Sequence, residues 1–178
     1  MIPLLNGLCG VTCFTPSSGL WTSISLDRSL LLHRNLNNVM PLVIFVSKIE
    51  TNPTTRYRVQ PLLRSLQRHG VKTKRLNSGG GLKLRLSLLL HAPFSDVIII
   101  QRKLFDQVFL NLLSTLCKKI IFDFDDAIFS KSDGNQAPRR VQRFKKTIGC
   151  CWQVWAGNQY LLDMAHQQIE EHRGEQPY

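Results

Sequence analysis

The chain has 178 residues, 43% of them hydrophobic and 20% charged, and 23 Lys+Arg against 12 Asp+Glu give a net charge of +11. That is one domain's length of ordinary globular composition, and its basic excess suits phosphates, anionic lipid headgroups or nucleic acid without choosing among them. Its cysteines (Cys9, Cys13, Cys117, Cys150 and Cys151) are odd in number and form no C-x-x-C pair, which excludes a disulfide framework or a zinc pattern and points to reduced thiols in a cytoplasmic protein.

Residues 1–39 read differently from the rest. No charged side chain occurs from Met1 to Leu26, and Pro, Gly, Ser and Thr keep interrupting the apolar residues. Without a basic opening or a long unbroken apolar run, the stretch is neither a signal peptide nor a membrane helix. It is expected to be a disordered leader or an untranslated extension ahead of Met40. From there a single domain is expected over 40–170, followed by a truncated tail over 171–178.

Strands are expected at Leu42–Ser47, Val71–Leu76, Asp96–Gln101, Lys119–Phe124 and Trp152–Ala156. The middle ones are almost continuously apolar, as in parallel strands covered on both faces. Between them lie helical stretches. "RVQPLLRSLQRHG" has Pro61 in its first turn and Gly70 just past its end. Segment 82–90, "LKLRLSLLL", alternates like a strand but sits where a crossover helix belongs, and is taken as helix. Phe105, Val108, Phe109, Leu112, Leu113 and Leu116 form an apolar stripe, and Asn158 is placed to cap the last helix. Successive β-α units imply an α/β fold, a doubly wound, mostly parallel, Rossmann-like sheet of about five strands. Ligands of such sheets bind outside the carboxyl ends of the strands. Thr54 to Arg58, Arg102 and Lys103, Asp123 to Asp126, and Gly157 with Asn158 all fall there.

"IIFDFDDA" resembles the D-x-D motif of haloacid-dehalogenase-like phosphatases, in which Asp123 would be the nucleophile and Asp125 the acid/base. Against this, Ala127 stands where Thr or Val is usual, β-α units precede the motif, and no second acidic pair follows. "PRRVQRFKK" sets Arg139, Arg140, Arg143, Lys145 and Lys146 on a helix with Val141 and Phe144 on its other face. This suits an anionic membrane surface to which the protein would be peripheral; nucleic acid is less favoured for want of a recognised motif. Gly79–Gly81 lacks the spacing of a phosphate loop, and the histidines form no pair at metal spacing.

Together, "TTRYRVQPLLRSLQRHGV", "DVIIIQRKLF", "KIIFDFDDAIF" and "WAGNQYLLDMA" resemble, in order and spacing, the amino-terminal domain of family 4 glycosyltransferases of the GT-B fold, over about residues 40–168. The resemblance implies a retaining sugar transfer from a nucleotide donor, with the acceptor held by this domain and no catalytic metal. Carried over residue by residue, Arg56, Arg58 and Arg102 would face the cleft. Asp123, Asp125 and Asp126 would line it, Asp125 and Asp126 accepting from sugar hydroxyls or orienting an arginine; Gly157 would let the backbone turn tightly, and Asn158, also a cleft candidate, would cap the last helix. "ETNPTTRYR" replaces the glycine-rich first loop of many members, and residues 1–178 hold no pair of glutamates at the donor domain's spacing. The chain is therefore expected to bind no cofactor itself, to need a nucleotide sugar and a donor domain from a separate chain, and to be inactive alone.

Overall fold

The structure is a computed structural model in which residues 10–13, 40–130 and 137–174 are described. A parallel sheet is its centre, built from β1 (Gly10–Cys13), β2 (Leu42–Ser47), β3 (Lys72–Asn77), β4 (Val97–Gln101), β5 (Ile120–Phe124) and β6 (Gln153–Ala156). The spatial order is β1-β6-β5-β4-β2-β3, all neighbours parallel. The five expected strands all form, most beginning one residue later than expected. The sheet gains a sixth strand from the segment expected as a leader, the rest of which lies outside the described residues.

The helices are α1 (Gln60–Arg68), entered through a wide π turn at Thr55–Val59, then α2 (Gly81–His91), α3 (Gln107–Leu116), α4 (Pro138–Cys150) and α5 (Gln159–Gly174). Segment 82–90 is helical, and α5 runs past residue 170. Gly70, just beyond α1, has φ +75°, the left-handed cap that only glycine adopts without cost. Asp106 caps α3 by accepting from Phe109 N at 3.0 Å, and that bond holds its carboxyl below the ordinary carboxylate value.

Strand alternation divides the core in two. Ile44, Val46, Ile98, Ile100, Phe122 and Phe124 face the layer that includes α2 to α5. There Phe144 of α4 meets the Phe124 ring edge-on at 5.2 Å, a favourable aromatic geometry. Val43, Phe45, Val97, Ile99 and Ile121 face Val59 of the π turn and Leu62 and Leu66 of α1. The edge strand β3, with Lys72, Lys74 and Arg75, is the least apolar, as an edge requires.

The chain leaves β2 toward β3 on one side and returns to β4 on the other. The order therefore reverses between β2 and β4, the point of such sheets near which ligands bind, at the carboxyl ends of the strands.

Candidate cleft at the carboxyl ends of the strands

The inner part of the site is a buried chain of polar contacts on the α1 face. Gln101 and Asp123 are register partners on β4 and β5, and both are only 5% exposed. Gln101 Nε2 donates to Asp123 Oδ2 at 3.3 Å, and Thr55 Oγ1 lies 3.4 Å from Gln101 Oε1. Arg58 closes the chain, its Nε donating to Asp123 Oδ2 at 3.3 Å and its Nη2 pairing with Oδ1. The π turn brings Thr55 and Arg58 together to one side of the strand ends, and such turns recur at functional sites. Burial raises the Asp123 carboxyl above its ordinary value, against the opposing pull of Arg58 and Gln101.

The outer part is built on Arg102. Its φ of 56° is the one positive value among the described non-glycine residues, a conformation that costs a residue with a Cβ about 1–3 kcal/mol. Its backbone N donates to Asp123 O at 2.9 Å. From there the guanidinium reaches Thr54 Oγ1 at 3.1 Å, pairs with Asp126, and lies 3.4 Å from Asp125 Oδ1. Strand β5 stops at Phe124, so Asp125 and Asp126 belong to the loop rather than to the strand's alternation. Asp125 Oδ1 is buried and accepts no hydrogen bond, so the Arg102 guanidinium 3.4 Å away compensates its charge.

Gly157 is required by space. A Cβ there would stand 2.8 Å from Asp125 Cα and 3.1 Å from Asp125 Cβ, so the β6 turn presses directly on the aspartate loop. Asn158 is exposed and accepts from Leu161 N at 2.9 Å, capping α5.

Of the residues expected here, Arg58, Arg102, Asp123, Asp125 and Asp126 are brought together, and Asn158 stands beside them as a cap. Arg56 does not join them: it is exposed and lines a separate groove of about 670 Å³ on the outside of α1 with Tyr57, Gln60 and Arg64. That groove is the larger one, but it holds none of the aspartates. A smaller groove of about 540 Å³ opens beside the cluster, lined by Arg102, Leu104, Asp126, Ile128, Arg140 and Arg143. Gln101 was not singled out from the sequence, and Thr55 only as part of the stretch Thr54 to Arg58. The available signal was a polar residue ending the apolar run "VIIIQ". Among the described residues no group of three or more His, Cys, Asp or Glu is gathered as a metal ion would require; the three aspartates are met instead by two guanidinium groups.

No known protein family matches the chain, and no curated protein does. One solved structure is similar: the lysine decarboxylase LdcF of Francisella novicida, at 13% identity and a TM-score of 0.43, over 78% of this chain. The chain spans 18% of that enzyme's length. No helix of the described residues is long and apolar enough to cross a membrane.

Proposed function

We propose that this chain is the acceptor-binding half of a retaining, nucleotide-sugar-dependent glycosyltransferase, with the donor bound by a domain supplied on another polypeptide or another stretch of chain. The four segments that resemble family 4 glycosyltransferases support this reading, since their polar residues meet at the carboxyl ends of adjacent strands. The observation that carries it is Arg102. Its strained backbone aims a guanidinium at two carboxylates beside an open groove, and strain of that kind persists where a side chain must be held in position.

A sugar acceptor suits such a surface. Asp126 is exposed enough to accept from hydroxyl groups, and Arg102 holds it in place while donating to an acceptor oxygen. The phosphatase alternative is less well served. Its nucleophile would be Asp123, whose carboxylate is 5% exposed and held by Arg58 and Gln101, leaving no open face for in-line attack on phosphorus. The donor phosphates and the transfer step belong to the other half, because rate in such a reaction comes from clamping both substrates together.

The test is saturation-transfer NMR of the full chain against free sugars, sugar phosphates and nucleotide sugars. Sugars or sugar phosphates should bind, and Arg102→Ala should abolish the signal without changing the melting transition. Nucleotide sugars should give no signal beyond that of their sugar part, and no turnover. Turnover by the chain alone, or magnesium-dependent phosphomonoester hydrolysis lost in Asp123→Asn, would overturn the reading.

A further inference from the structure

Helix α2 turns leucine both ways. Leu84 and Leu88 are buried in the core, while Leu82, Leu86 and Leu90 lie one helical turn apart on the opposite side, 71%, 53% and 70% exposed, and Phe94, 69% exposed, follows in the short 3-10 turn Ala92–Phe94 that ends the helix. Neighbouring α3 adds Val108 and Leu112, 79% and 46% exposed. Scattered exposed leucines are ordinary, but six large apolar side chains exposed on two neighbouring helices and the turn that ends the first are a concentration of apolar surface that isolated proteins avoid.

The charge around this surface is one-sided. From Gly81 to Lys118 the carboxylates are Asp96 and Asp106, and both are engaged: Asp96 Oδ2 accepts from Leu42 N at 2.8 Å, and Asp106 pairs with Arg85 while capping α3. Lys83 and Lys118 are exposed at its edges. On the same face of the sheet, α4 packs beside α3. It has no acidic residue and presents Arg139, Arg140 and Arg143 to solvent, with Lys146 half-exposed.

We infer that the α2–α3–α4 layer docks on an anionic lipid bilayer, with the leucine line of α2 in the headgroup boundary and the cations of α4 on the lipid phosphates. Three considerations choose a bilayer as occupant. A helix pair with apolar residues outward and cations beside them lies in the plane of such an interface rather than crossing it. Basic side chains near the surface add about 1 kcal/mol each from anionic lipid. A second copy of this chain would instead bring another net charge of +11 against the same face, unfavourable at ordinary ionic strength. The basic helix is thus one flank of a larger surface, whose apolar part comes from α2 and α3. This inference does not depend on the transferase reading.

The experiment is flotation of the full chain with phosphatidylcholine vesicles made with and without phosphatidylglycerol. Binding is expected only to the anionic vesicles and should weaken at high salt. Leu86→Glu with Leu90→Glu, at positions exposed enough to leave folding intact, should lower partitioning at least about tenfold. Arg139→Glu with Lys146→Glu should remove the preference for phosphatidylglycerol. Arg102→Ala should leave vesicle binding unchanged, which separates a failure here from a failure of sugar binding. The inference is overturned if the chain ignores anionic vesicles, if the leucine variant binds them undiminished, or if that variant instead abolishes a concentration-dependent dimer.

Discussion

Arg58 with Asp123, and Arg102 with Asp125 and Asp126, use the same two residue types in opposite settings. The first pair lies under the sheet's carboxyl edge, side chains 16% and 7% exposed, with Gln101 donating to Asp123 and Thr55 in turn bonded to Gln101. The second is built on a strained residue at the lip of a groove, with Asp126 58% exposed and Asp125 Oδ1 ion-paired to Arg102 Nε at 3.4 Å without a hydrogen bond. A buried pair that is fully bonded resists change, and removing either member leaves a charge with no water to receive it. An exposed cluster adds little to stability, because solvent screens it. The inner pair therefore reads as the support and the outer cluster as the part that meets ligand.

Breaking the inner pair should have the largest effect. Arg58→Met strands the Asp123 carboxylate, and urea unfolding at neutral pH should show a loss of about 3–5 kcal/mol. Adding Asp123→Leu in the same chain should restore most of it. If the double variant is no more stable than the single one, the pair is not the source of the loss.

Next comes the contact between the β6 turn and the loop that carries the outer aspartates. Gly157→Ala places a methyl group 2.8 Å from Asp125 Cα, so the aspartate loop must shift. A cost of about 1–3 kcal/mol is expected in thermal or urea unfolding, with sugar binding reduced alongside. An unchanged melting temperature would mean the β6 turn yields freely.

Acid titration sharpens the comparison. Asp123 holds its proton in the folded chain above the ordinary carboxyl value of 3.8, so between that value and its elevated folded one the native state binds more protons than the unfolded. In that window its contribution makes stability fall as pH rises, by up to about 1.4 kcal/mol per pH unit. Asp123→Asn should remove this slope, whereas Asp126→Asn should leave it in place; denaturant midpoints measured across the acid range decide.

The smallest stability change is expected where the effect on binding is largest. Arg102→Gly relieves the positive φ and gives up partly exposed ion pairs, so the two terms should cancel to within about 1 kcal/mol. Sugar binding should fall at least about tenfold, the scale on which charge-assisted hydrogen bonds act. A large destabilisation with binding intact would reverse the roles assigned to the two clusters.

Part of this division was legible in the residues. "DVIIIQRKLF" and "KIIFDFDDAIF" announce buried parallel strands with polar ends, because uninterrupted β-branched and aromatic runs leave few other folds. The separate fates of the aspartates were not legible. Alternation gives Asp123 the α1 face only once the strand's end is known, and the strand ends at Phe124. Gln101 escaped notice because one amide at a strand end has no pattern, and Arg56 was grouped with Arg58 because sequence does not show where a π turn aims its side chains.

Apolar periodicity and turn residues determined, by themselves, the α/β class, the five strands from Leu42 onward and the helices between them. These depend on local preference and on which side of each element avoids water. The tertiary structure alone decided that Gly10–Cys13 adds an edge strand and that Asp123 is locked inside while Asp126 is left outside. It also decided that the leucines of α2 split between core and surface. Leucine facing inward and leucine facing outward are identical in sequence; only the packing of α3 and the sheet against one side of the helix distinguishes them.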